Sequence, residues 1–147
     1  MPESPPPDFP FDLGDRFERL GHALRDREAE HADDLDRARA CAARMHATVA
    51  KALADFNAAA GLPQLAVELG EIRTDEKHVR AVEFDMVRGR HRAIVTAKSR
   101  GEVTLVGPFQ RGKTEGPCRS FPFGAGPELQ AELADFLEQF LEAAANP

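Results

Sequence analysis

The chain of 147 residues contains neither tryptophan nor tyrosine, and all ten of its aromatic side chains are phenylalanine. Tyrosine and tryptophan are favoured at recognition surfaces because each combines a large apolar area with a polar tip. Tyrosine also acts as an acid, a base or an oxyanion donor in many enzymes. The absence of both lowers the expectation of catalysis without excluding an enzyme.

Cysteines and long apolar runs are also scarce. Cys41 and Cys118 are the two cysteines, and their wide separation is typical of free thiols in a reducing compartment. No apolar run reaches the roughly 18 residues that a membrane-spanning helix needs. The first residues are acidic and rich in proline, and they lack the apolar core of a signal peptide. These features predict a cytoplasmic protein without a membrane partner.

No strong motif indicates a site for a metal, a nucleotide or another cofactor. Glu28 and His31 have the Glu-x-x-His spacing used by one helix of di-iron bundles, but no further ligands can be assigned. The pair is a weak metal candidate, and we favour a role in setting the register of a helix pair. Residues 110–114 end in Gly-Lys-Thr, yet the first glycine of a phosphate-binding loop is misplaced. We therefore predict no cofactor.

The most informative pattern is one long apolar stripe, whose members follow one another at steps of three and four residues. Such steps place side chains on one face of a helix. Glu28 and His31 occupy two polar positions within the stripe. The apolar members are Phe17, Leu20, Leu24, Leu35, Ala38, Ala42, Met45, Val49, Ala52, Phe56 and Ala59.

This stripe predicts a helix that is too long for a compact molecule. From Asp12 to Ala60 it would run roughly 70 Å, whereas a globule of this chain length is only about 40 Å across. The helix must therefore kink or form a hairpin near residues 25–34, or stay continuous and bury its stripe against another chain. We favour the continuous helix because no glycine or proline lies between Gly21 and Gly61.

Beyond residue 61 the apolar residues alternate with polar ones, which is the period of a β-strand. The first predicted strand carries Leu65, Val67 and Leu69, and Gly70 then shifts the phase of the pattern as a bulge would. The sequence thus predicts an α+β fold in which a long N-terminal helix precedes an antiparallel meander of four or five strands. A C-terminal amphipathic helix, beginning at Gly126-Pro127, should pack on the sheet. The predicted divisions are a disordered proline-rich arm at 1–11, a dimerising helix at 12–61, and the sheet with the last helix at 62–147.

Two hairpin loops set the predicted strand registers. A two-residue turn at Arg88-Gly89 would place Phe84 opposite Ala93. A three-residue loop at 99–101 would place Lys98 opposite Glu102. Both registers keep apolar side chains on one face and pair opposite charges on the other.

Basic residues are concentrated in the predicted sheet. Residues 73–119 contain 11 lysines and arginines against 6 acidic residues, whereas the rest of the chain is strongly acidic. Such a patch can bind phosphate or an acidic partner, although neighbouring carboxylates can also neutralise it. The candidate binding residues are Arg88, Arg90, His91, Arg92, Arg111 and Lys113.

Architecture rather than chemistry therefore leads the functional prediction. The part of the stripe around Val49 to Phe56 should cover the sheet, whereas the stripe from Phe17 to Val49 predicts a homodimer. Such a dimer would act as a binding or adaptor module for protein–protein interaction, with no catalysis expected. The alternative is a nucleic-acid-binding or anion-binding protein that uses the Arg-rich hairpin at residues 88–92. An enzyme with its site at the dimer interface is the third reading. The sequence identifies no ligand, partner other than a second copy, or pathway.

Overall fold

The structure, a computed structural model, describes residues 13–75, 80–110, 112 and 116–146. Its class is α+β, as the sequence predicts: a long helix precedes an antiparallel sheet, and a second helix contacts that sheet. The proline-rich arm at 1–11 lies outside the described residues. Within the described part of the chain, no helix combines the length and the apolar character that crossing a membrane requires.

Two α-helices and six strands form within the described residues. Helix α1 covers Gly14–Ala60 without interruption, so the segment 25–34 is helical, and helix α2 covers Gly126–Ala145. Short 3-10 helices lie at Pro63–Leu65 and Phe123–Ala125. The strands are β1 (Glu68–Leu69), β2 (Arg73–Asp75), β3 (Ala81–Arg88), β4 (His91–Lys98), β5 (Glu102–Gln110) and β6 (Cys118–Pro122).

The chain divides into two compact units within α1. One unit ends at Ala32, and the other begins at Asp33 and includes the sheet and α2. In the first unit, every described residue from Leu13 to Ala32 is exposed. The later turns of α1 contribute side chains to the core of the sheet unit.

The sheet has the strand order β1-β3-β4-β5-β6, and β2 also pairs with β3. All of these pairings are antiparallel, and β3 to β6 form a meander. Pro122 lies on the edge strand β6, where its missing N–H breaks no ladder. The single strand predicted near Leu65–Leu69 is instead the pair of short strands β1 and β2, which raises the count to six.

Gly70 separates these two short strands. Its N–H donates a hydrogen bond of 2.7 Å to the carbonyl oxygen of Asp85. A Cβ atom at this position would lie 2.2 Å from the Asp85 Oδ1 atom and 3.2 Å from the Asp85 carbonyl oxygen, so a larger residue would have to displace the Asp85 carboxylate from its ion pairs with Arg73 and Arg92. The predicted phase change at Gly70 therefore marks a real interruption of the strand.

One predicted register is confirmed and the other is wrong by two residues. The loop at 99–101 pairs Lys98 with Glu102 as expected. In the other hairpin, Arg88 pairs with His91 and Phe84 pairs with Val95, so the turn residues are Gly89 and Arg90. Gly89 has a φ of 57°, because the first turn position needs the left-handed backbone that arginine disfavours. A shift of two residues leaves every side chain on its predicted face.

The core lies between one face of the sheet and the two helices. Alternate residues of β3, β4 and β5 point inward, as the period-two pattern predicts. From the helices, α1 contributes Met45, Val49 and Leu53, and α2 contributes Leu133, Phe136, Leu137, Phe140 and Ala144. A smaller neighbouring cluster joins Ala38 and Ala42 to Val82 and Ala97. All four side chains of this smaller cluster are buried.

Candidate functional site

An exposed apolar surface lies on the first turns of α1. We call Leu13, Phe17, Leu20 and Leu24 the apolar face. Their exposed fractions are 55%, 57%, 49% and 48%, respectively. Successive members are four, three and four residues apart, which places them on one side of the helix. Contiguous exposed side chains of this size are typical of an interaction surface rather than of scattered surface residues.

The second half of the predicted dimer stripe is placed differently. Ala38, Ala42, Met45 and Val49 are buried in the chain's own core, and Leu35 is partly buried against the smaller cluster. Their burial removes them from the surface that a second copy could contact. The available part of the predicted dimer stripe is therefore Phe17, Leu20 and Leu24, to which the structure adds Leu13.

Gly21 lies beside the apolar face and has no evident role within the chain. A Cβ atom at this position would meet no other atom within 4 Å. Glycine inside a helix costs roughly 0.5–1 kcal/mol relative to alanine. No described contact within the chain offsets this loss of helix stability. A helix that lacks a side chain at one point can be approached more closely there.

Glu28 and His31, the weak metal candidates, lie close together on α1. The Glu28 Oε2 atom lies 3.8 Å from the His31 Nδ1 atom, and both side chains are exposed. No group of three or more metal-ligating side chains occurs among the described residues. The pair is thus an exposed contact between neighbouring turns of α1.

Two of the predicted binding residues in the basic hairpin bind the end of α2 instead. The Arg88 Nη1 atom donates to the carbonyl oxygen of Ala144, and its Nε atom donates to the carbonyl of Gln64 at 2.8 Å. The His91 Nε2 atom donates to the carbonyl of Asn146 at 3.0 Å. Because α2 has no basic residue in its last turn, Arg88 supplies the positive charge that a helix C-terminus favours, and His91 adds a second hydrogen-bond donor.

Of the other predicted binding residues, one forms an ion pair, one lies in a turn, and two lie outside the described residues. Arg92 contacts the Asp85 carboxylate at 2.9 Å, while Arg90 is exposed in the turn. Arg111 and Lys113 lie outside the described residues. A cleft of about 540 Å³ lies beside Arg88, Arg90 and His91. The described hairpin thus offers Arg90 to an anion, since the other cations already have partners.

Cys41 lies in a second, smaller groove of about 360 Å³ between α1 and the residues that lead into α2. Burial raises the pKa of the Cys41 thiol and outweighs the opposing effect of the Arg44 charge. A raised pKa disfavours the thiolate, which is the nucleophilic form. Cys41 and the exposed Cys118 are both free. This environment is that of a packing residue rather than a catalytic thiol.

Comparison with protein-family models, curated proteins and solved structures gives no match for this chain. The functional argument therefore depends on the geometry described above. The apolar face is the surface whose residues have no explanation in the chain's own packing. The basic hairpin is explained largely by its contacts with α2 and Asp85.

Proposed function

We propose that this protein is a small homodimeric binding module, in which the apolar face of one chain packs against the same face of a second copy. The observation that carries the proposal is the exposure of Leu13, Phe17, Leu20 and Leu24 along one side of α1. Pairing with an identical helix covers both faces at once and needs no other partner. The role that follows is protein–protein interaction.

The expected strength follows from the size of the face. Covering a half-exposed leucine or phenylalanine is worth roughly 1 kcal/mol, so the eight side chains of two copies contribute about 8 kcal/mol. Association itself costs at least about 4 kcal/mol. With that minimum cost the difference is about 4 kcal/mol, which corresponds to a dissociation constant of about 1 mM; a larger cost would raise this constant, and contacts of flanking side chains would lower it. We therefore expect a weak, concentration-dependent dimer.

Sedimentation equilibrium from about 10 μM to about 1 mM tests the proposal, with this range set by the affinity scale above. The monomer mass is 16.1 kDa, and we expect the average mass to rise toward twice that value with concentration. A constant monomer mass over the whole range would refute the homodimer. It would also remove the support for the adaptor role.

Anion or nucleic-acid binding by the hairpin stays the alternative proposal, and it depends on Arg90 and the cleft beside it. An electrophoretic shift assay with generic DNA and RNA at low and moderate salt tests it, because phosphate binding is strongly salt-dependent. Arg90→Ala is the matched variant, since its side chain is exposed in the turn. An enzyme site at the dimer interface is the third proposal and would require the dimer first.

A further inference from the structure

We propose that the groove beside Cys41 binds a small amphipathic carboxylate, in which one acid group is joined to a short apolar chain, and that Arg44 is the partner of the acid group. This inference does not depend on the homodimer proposed above, because the groove lies within the sheet unit and not on the apolar face. It follows from the side chains that line the groove, from their charges and from the volume that they enclose.

The lining of the groove is mainly apolar. Cys41 and Met45 belong to α1, Phe123 belongs to the short 3-10 helix before α2, and Leu129 lies near the beginning of α2. Met45 is buried, whereas Cys41, Phe123 and Leu129 pack against the core but are only partly buried. An apolar ligand that covered these partly exposed side chains would remove them from water, which favours binding.

The charged side chains of the lining are both basic. Arg37 and Arg44 lie two turns apart on α1, and no acidic residue lines the groove within the described part of the chain. Arg37 is paired with Asp34, but no ion pair of Arg44 occurs among the described residues. Burial raises the pKa of the Cys41 thiol and the Arg44 charge opposes that effect, so this charge acts within the groove. A carboxylate there would meet a guanidinium that no acidic side chain neutralises.

The volume of the groove limits the size of its ligand. At about 360 Å³, the groove is at the lower end of the range for small-molecule sites. Because a water-sized group takes about 30 Å³, the groove has room for roughly 12 non-hydrogen atoms. Octanoate is within this size and carries a single carboxylate on an unbranched apolar chain. It is therefore the probe that matches the lining, the charge and the volume together.

Protection of Cys41 from a thiol reagent tests the proposal, because Cys41 lines the groove and the exposed Cys118 does not. The protein is treated with N-ethylmaleimide in increasing octanoate, and mass spectrometry of its peptides gives the modification rate of each cysteine. By mass action, we expect octanoate at about four times its dissociation constant to slow Cys41 about fivefold. The rate of Cys118 should not change. The same concentrations of 1-octanol, which lacks the charge, and of acetate, which lacks the chain, should each protect Cys41 less.

Replacing Arg44 with glutamine tests its role as the partner of the acid group. Arg39→Gln is the matched control, because Arg39 is on the same helix but does not line the groove. Each variant is compared with and without octanoate, so a change in the intrinsic reactivity of Cys41 cancels. We expect the octanoate concentration for half protection to rise at least about fivefold in Arg44→Gln and to stay unchanged in Arg39→Gln. Circular dichroism verifies that both variants keep the fold.

The possible results are distinct. Equal protection of Cys41 by octanoate and 1-octanol would overturn the assignment of a carboxylate ligand and the role of Arg44. No protection at any soluble concentration of octanoate, or equal slowing of Cys41 and Cys118, would overturn the site itself. None of these results depends on whether the protein sediments as a dimer, so this proposal and the homodimer fail separately.

Discussion

Replacing Leu20 with glutamine should abolish self-association and leave the folded chain intact. Leu20 is central in the apolar face and is 49% exposed, so the change leaves no cavity in the chain's own core. Glutamine has a helix propensity close to that of leucine, which keeps α1 comparable. Two copies lose two half-buried leucines, or roughly 2 kcal/mol, and this weakens the dimer about 30-fold.

The assay is sedimentation equilibrium of the Leu20→Gln protein and the unaltered protein at equal salt. Glu18→Gln is the matched control, because Glu18 is exposed on the same turn but lies outside the apolar face. We expect dimer in the unaltered protein and the control, and monomer alone for Leu20→Gln. At concentrations where all three proteins are monomeric, their free energies of unfolding in urea, measured by far-ultraviolet circular dichroism, should agree within about 0.5 kcal/mol. An unchanged dissociation constant for Leu20→Gln would refute the reasoning.

Three further outcomes test the sheet unit. Ala42→Leu should destabilise the fold by about 1–3 kcal/mol in urea unfolding, because Ala42 is buried in the smaller cluster with Val82 and Ala97 and a larger side chain would overpack it; an unchanged midpoint would contradict that packing. Arg88→Met should cost about 1–2 kcal/mol in the same assay, because charged hydrogen bonds to the end of α2 are lost while the side-chain volume is kept. At pH 8, maleimide should modify Cys118 at least about tenfold faster than Cys41, because a raised pKa leaves less thiolate at a given pH. The Cys41 rate should continue to rise above pH 9, and equal rates for the two thiols would contradict its burial.

Local patterns in the sequence account for most of the fold. Gly101, with a φ of 99°, ends a loop whose length alone fixes the pairing of β4 with β5. The other hairpin is wrong by two residues because Arg88 is assigned to the turn, although glycine has to occupy the first left-handed position. The predicted inward and outward faces of the strands are still correct because the register shift is an even number of residues.

The stripe of α1 shows a second limit of pattern matching. Alternating steps of three and four average 3.5 residues, whereas the helix repeats every 3.6. Over several turns the buried side drifts, so Leu53 is buried while the predicted Ala52 and Ala59 are exposed. The sequence alone could not show that Phe17 is exposed, because the same apolar spacing occurs in helices that pack in a core and in helices that form an interface.

The candidate site was less predictable than the fold. The clustering of basic residues in the sequence assigns Arg88 and His91 to one hairpin. Their hydrogen-bond partners, Ala144 and Asn146, lie more than 50 residues away in sequence. No local pattern indicates that a hairpin will bind the end of a distant helix. The absence of a basic residue in the last turn of α2 is the signal that could have suggested it.

The hydrogen bonds of Arg88 also bear on how the sheet unit opens. One guanidinium joins the hairpin of β3 and β4 to Gln64, which follows α1, and to the last turn of α2. Three segments far apart in sequence are thereby held by a single side chain. Their slowest-exchanging amides should therefore become accessible to deuterium together, as one cooperative unit rather than as separately fraying pieces.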